Sequence, residues 1–153
     1  MKNKILWILM SLILSTGIAS ADNFVNLTPG PRAMTVLSGE VVLPQDFVVG
    51  YNSAHSAEML AEVQRSVLAF NAATGYYAVA QADAEAPLFD VALYGGTMNE
   101  GAYNLIVNEG KVTIRAKSVL GFYYAFQSVK KILPANVMAG KQDAAVTKYA
   151  LPC

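Results

Sequence analysis

Few residues in this 153-residue chain have the types and spacing that chemistry needs. His55 is the single histidine and Cys153 the single cysteine. A Ser-His-Asp relay would have to be built on His55, yet no Gly-x-Ser-x-Gly elbow accompanies it. Metals need several converging ligands. His55, expected on a solvent-exposed loop just before a helix, brings none with it. Asp83, Glu85 and Asp90 gather around Pro87, which reads as a solvated acidic loop, with a weak cation site as the lesser reading. Gly95-Gly96 lacks the further glycines and the following helix of a dinucleotide fingerprint. Tyr76, Tyr77, Tyr94, Tyr103, Tyr123 and Tyr124 offer flat rings that suit stacking on sugars. They alternate with aliphatics, however, and that is the pattern of core and interface packing. No catalytic residue, cofactor or metal is expected.

The elements that would hold such residues are easier to read. Ala102–Val107 and Lys111–Ala116 alternate with period two around Asn108-Glu109-Gly110, which predicts a hairpin with Gly110 in the left-handed position. Ser118 caps a helix over Val119–Leu133, whose apolar face is Phe122, Ala125, Phe126, Val129, Ile132 and Leu133; Pro134 stops it. An earlier helix spans Ser56–Thr74, with Ser56 as cap, a stripe of Leu60, Val63, Val67 and Phe70, and Gly75 ending it. Further strands are predicted at Ala33–Leu37, Glu40–Leu43, Phe47–Tyr51, Tyr76–Ala80 and Leu88–Tyr94. Ala135–Cys153 reads as a polar loop with one strand-like patch, Val146–Leu151. The expected architecture is α+β: a two-layer sandwich in which a mixed, mostly antiparallel sheet of about six strands carries two helices on one face.

Charge and leader bound the setting. Lys and Arg number 11, as do Asp and Glu, and the only adjacent basic pair is Lys130-Lys131. That pair sits in the last turn of a predicted helix, where cations complement the dipole. Nothing here is a nucleic-acid footprint. Lys2 and Lys4, the apolar run Ile5–Leu14 and Ala19-Ser20-Ala21 read as a signal peptide cleaved after Ala21. The apolar run is too short to span a bilayer, so a secreted or periplasmic domain with no membrane contact after cleavage is expected. A lone cysteine permits no internal disulfide, which leaves packing to hold the fold. The division expected is residues 1–21 leader, 22–134 domain and 135–153 a linker.

One block also carries a resemblance. Glu100, Tyr103, Leu105, Val107, Val112, Ile114, Ala116, Ser118, Gly121, Tyr123, Tyr124, Gln127, Ser128, Leu133 and Pro134 follow the pattern of the N-terminal, non-catalytic domain of family 20 glycoside hydrolases, the β-N-acetylhexosaminidases. Pro29, Pro31 and Gly39 look similar to its entry, and Ala150-Leu151-Pro152 to its exit strand. Glu100 departs from the pattern, because Gly101-Ala102 separates it from Tyr103; Ala125 and Val129 replace a smaller and a larger residue. The resemblance implies a domain that braces a catalytic TIM barrel. It also implies that an Asp-Glu pair on that barrel performs substrate-assisted hydrolysis. No Asp-Glu dipeptide occurs here, and the only tryptophan, Trp7, lies in the leader. The expected role is thus an exported accessory domain linked to amino-sugar degradation, its barrel absent from a chain that reads as cut off at Cys153. Tyr123, Tyr124, Gln127 and Leu151 are the expected contacts with that barrel. Gly121 is expected to let helix and sheet approach closely. The alternative is a stand-alone module that binds glycans or another protein.

Overall fold

The structure is a computed structural model that describes residue 27 and residues 30–55, 57–94, 96–108 and 110–153. The leader with its cleavage position, Pro29, the cap at Ser56, Gly95 and Glu109 lie outside the described residues. Within them the elements run β1 (Glu40–Val42), β2 (Asp46–Tyr51), α1 (Ala57–Thr74), β3 (Tyr77–Ala82), β4 (Phe89–Leu93), β5 (Tyr103–Asn108), β6 (Lys111–Ala116), α2 (Val119–Ile132), α3 (Ala135–Ala139) and β7 (Ala150–Pro152).

The α+β sandwich is present, with both long helices on one face of a five-stranded sheet ordered β3-β2-β4-β6-β5. Its pairing differs from the mostly antiparallel expectation. β2–β3, β2–β4 and β4–β6 are parallel, and only β5–β6 is antiparallel in this sheet. Connectivity explains the difference. A helix between β2 and β3 makes a crossover, and a crossover returns the chain in the same direction. A second, two-stranded sheet pairs β1 with β7 antiparallel, Val41 opposite Leu151. Ala33–Leu37, expected as a strand, joins neither sheet; the Leu37 N–H donates to Cys153 O at 2.7 Å.

Alternation decides which side chains enter the core. Val112, Ile114 and Ala116 of β6 are fully buried, while Lys111, Thr113 and Arg115 point to the helix-free side. Asn108 pairs with Lys111, so the hairpin loop is tighter than the three residues expected, with Gly110 at φ 79° as its left-handed corner. In α1 the buried row is Met59, Val63, Val67, Phe70 and Ala73; Leu60 sits at the margin. Among the described residues Glu62 is the one buried charged residue, held by Arg65 and by the Ser66 hydroxyl at 3.4 Å.

Aromatic contacts join the layers. Phe70 of α1 meets Phe47 edge-on at 5.6 Å, Phe47 stacks on Phe89 at 5.5 Å, and Phe89 reaches Phe126 of α2 at 6.2 Å. Phe126 then packs on Phe122 at 4.9 Å. At the other end Phe70 touches Tyr149, which is buried just before β7. Residues 135–153, expected as a polar linker, therefore contribute Val137, Tyr149 and Leu151 to the core and include a short helix. Gly140, at φ 67°, closes that helix. The Asn136 amide Nδ2 lies 3.0 Å from Ala73 O and 2.8 Å from the Tyr149 hydroxyl, which ties the segment to the end of α1.

Gly121 sets the spacing of α2 over the sheet, as the sequence suggested. A Cβ there would stand 2.4 Å from the carbonyl oxygen of Ala102 and 3.3 Å from Ala116 Cβ. The first obstacle is backbone and cannot rotate away. Gly121→Ala gains about 1 kcal/mol of helix propensity, but overpacking of this kind costs about 1–3 kcal/mol. The clash wins in this geometry. Urea unfolding of Gly121→Ala should show a net loss of stability of up to about 2 kcal/mol, the overpacking cost less the propensity gain; a variant more stable than the wild type would mean that α2 does not sit this close.

Candidate functional site

The β2–α1 loop lies at the carboxyl end of the parallel strands, where β2 leads to β3 on one side and β4 lies on the other. Open α/β sheets hold ligands in the crevice at such a switch point. Here His55 occupies it. Its Nε2 accepts the Leu93 N–H at 3.2 Å, and its own backbone N–H donates to Asn52 O at 3.0 Å. His55 is half-buried rather than the solvent-exposed neighbour expected. Its acceptor nitrogen is spent on a strand end, so it is a structural tie.

Two of the three acidic residues around Pro87, Asp83 and Asp90, are likewise committed, and Glu85 is exposed. Asp90 Oδ2 takes Lys111 Nζ at 2.9 Å and Arg115 at 3.0 Å, and Arg115 also donates to Asp90 O at 2.9 Å. Partial burial works to raise the Asp90 pKa. The Arg115 and Lys111 hydrogen bonds and charges outweigh it and hold the carboxyl below its ordinary range. Asp83 accepts the Ser53 N–H at 3.0 Å, and bonds from Ser53 hold its carboxyl low as well. Both line an open depression of about 180 Å³ with Asn52 and Pro87. The loop can fold this close because Gly50 has no side chain: a Cβ there would meet Pro87 Cγ at 2.7 Å. Among the described residues no three His, Cys, Asp or Glu are grouped to hold a metal.

What remains open is the outer face of α2. Tyr123 and Tyr124 are 40% and 45% exposed, with Leu120 one turn earlier as exposed as they are. Neither tyrosine meets the sheet. Phe122 takes the inward direction, so the next two positions, about 100° and 200° further round, both fall outside. Tyr124 lies over Gly101, where a Cβ would meet its ring at 3.1 Å, and the two tyrosine rings sit 5.6 Å apart at 60°. Gln127 is half-buried and makes no hydrogen bond among the described residues. Leu151, expected on the same interface, is fully buried opposite Val41, so its side chain serves this chain's own core. Sequence reasoning missed Leu120, although its spacing of three and four from the tyrosines was the available signal.

The fold and these side chains define a class: an α+β sandwich domain in which His55, Asp83 and Asp90 tie its own loops and strands and α2 presents an exposed aromatic face. The chain belongs to the family described as glycosyl hydrolase family 20, domain 2, whose model matches residues 25–149. Its fold is similar to part of the GH20 β-N-acetylhexosaminidase from Streptomyces coelicolor A3(2), with TM-score 0.71 and 18% identity over 86% of this chain and 25% of that one. It is also similar to part of a GH20 exo-β-N-acetylglucosaminidase from Vibrio harveyi, with TM-score 0.62 and 18% identity over 82% of this chain and 17% of that one. For the β-N-acetylhexosaminidase from Bacteroides fragilis the TM-score is 0.61, at 13% identity over 83% and 23%. The chain thus spans about a quarter or less of the solved structures it matches. No curated protein sequence matches it.

Asp90 gives the site a defined pH response. Its carboxyl ionises at lower pH in the folded chain than in the unfolded one. The stability it contributes is therefore present above the unfolded value of about 4 and is lost as pH falls through the lower folded value. Urea midpoints at pH 7 and pH 3 should show the wild type losing more stability with acid than Asp90→Asn does. Parallel losses would rule out the Asp90–Arg115–Lys111 cluster as a stabilising pairing.

Proposed function

We propose that this chain is the accessory domain of a β-N-acetylhexosaminidase-like glycoside hydrolase, exported after cleavage at Ala21. In this reading it braces a catalytic TIM barrel that residues 1–153 do not contain, and it does not hydrolyse glycans alone. The observation that carries the reading is the family match over residues 25–149, joined to an exposed, uncharged aromatic face of α2 formed by Leu120, Tyr123 and Tyr124. Large exposed apolar groups side by side mark interaction sites. The similar structures support it further, since each is a hexosaminidase several times longer than this chain.

Such a surface suits a protein partner better than a sugar. Tyrosine combines apolar area with a hydroxyl that can bond across an interface. Tyr123 and Tyr124 are tilted by 60° to each other, so together they present no single flat surface to one sugar ring. Gln127 on the same helix supplies an amide free to bond the partner. The barrel would supply every reacting group, and this domain would supply position.

Residues 22–153, purified without a barrel, should release no chromophore from a 4-nitrophenyl N-acetylglucosaminide above an empty-vector control. Calorimetric titration with chitooligosaccharides should show no binding tighter than about 1 mM. Turnover by the purified chain would overturn the accessory role. Tighter sugar binding that disappears in Tyr123→Ala/Tyr124→Ala would transfer the function to a carbohydrate-binding module.

A further inference from the structure

Among the described residues β3 ends the sheet, with β2 on one side and no strand on the other. Its sequence, Tyr77 to Ala82, reads YAVAQA and carries no charge and no proline. Those are the usual protections of an open edge, and an uncharged six-residue segment of this kind is an aggregation hazard. Tyr77 and Val79 stand beside the edge at 69% and 58% exposure. The strand is nevertheless not bare. The Tyr77 N–H donates to Gln45 O and the Asp83 N–H to Tyr51 O, each at 2.8 Å, so the odd-numbered residues bond towards β2. By alternation the main chains of Ala78, Ala80 and Ala82 face the open side. At Ala78 the Asn71 carboxamide takes both groups: its Oδ1 accepts the Ala78 N–H at 2.8 Å and its Nδ2 donates to Ala78 O at 2.9 Å.

We infer that Asn71 guards this edge, and that without it the chain pairs with a second copy of itself through β3. The two bonds of Asn71 are the pair that a residue of a neighbouring antiparallel strand would make. Two β3 edges meet naturally about a two-fold axis at Ala80, because an isologous contact sets the same strand against itself. Ala78 of each copy then faces Ala82 of the other. With Asn71 in place both of those pairings are pre-empted, and only the central Ala80 pair is left. A single bonded pair cannot repay the cost of association. Removing the carboxamide restores an unbroken run of pairing groups beside exposed Tyr77 and Val79. The guard comes from α1, one turn before Gly75 turns the chain into β3. It is a feature of the domain itself and does not depend on a barrel.

Sedimentation velocity over a concentration series tests this on the wild type, Asn71→Ala and the double variant Asn71→Ala/Ala80→Pro. A proline at position 80 sacrifices no bond to β2, because that N–H faces the open edge. Asn71→Ala should self-associate at least about tenfold more tightly than the wild type, given several restored bonds of about 1 kcal/mol each, and the double variant should return to wild-type behaviour. A folded Asn71→Ala that associates no more than the wild type would overturn the inference. So would association that Ala80→Pro leaves unchanged. Amide exchange in the wild type gives an independent reading should Asn71→Ala fail to fold. The Ala78 amide should exchange at least about tenfold more slowly than the Ala80 amide, as a bonded group does beside an open one. Equal rates would mean that Asn71 holds nothing.

Discussion

The aromatic chain from Tyr149 through Phe70, Phe47, Phe89 and Phe126 to Phe122 is the contact on which the rest of the molecule rests. It begins beside β7, crosses α1 and the two central strands, and ends inside α2. Each ring pair contributes about 0.5–1.5 kcal/mol beyond its buried area, and each large side chain about 1.5–3 kcal/mol by leaving water. The chain also fixes orientation. Phe122 and Phe126 must point down for the last links to close, and one turn of helix geometry then places Tyr123 and Tyr124 outside. The exposed aromatic face follows from the buried one.

That dependence explains which parts were legible in the sequence. The hairpin and α2 could be read because period-two and period-3.6 patterns there sit beside unambiguous stops, Gly110 and Pro134. The buried row of α1 was harder. Met59 and Leu60 are both apolar, and only the tilt of α1 over β2 and β3 makes Met59 the inward one. Sheet direction is a non-local property, so alternation within a strand does not reveal that β4 runs parallel to both β2 and β6. The sequence places Tyr149 and Leu151 in a strand-like patch of a linker, but nothing near them shows that both enter this domain's core. Their partners, Phe70 and Val41, lie far away along the chain.

The same logic accounts for the candidate site. Residue types suggested chemistry at His55, Asp83 and Asp90, but types do not show what a side chain is already bonded to. His55 closes the switch-point crevice by accepting a strand-end N–H, and Asp90 anchors two cations on the helix-free face of the sheet. A buried or bridging polar group stays only if its bonds are satisfied, and here they are satisfied internally. The tyrosines of α2 could be placed on a helix from sequence. Their shared exposure required knowing where Phe122 points.

The two faces of the sandwich end up with different characters for one physical reason. On the helix-free face the outward positions of the central strands are short or charged: Asp90 and Ala92 on β4, Lys111, Thr113 and Arg115 on β6. Their ion pairs can remain in water at little cost or gain, although Tyr77 and Val79 of β3 and Ile106 of β5 are exposed towards the margins of the same face. On the helical side the groups left outside, Leu120, Tyr123 and Tyr124, have no such pairing among themselves, and water around them is costly. A domain built this way is stable as a sandwich but asymmetric in what it asks of its surroundings. The exposed aromatic side chains lie along α2, the helix that Gly121 lets approach the sheet closely.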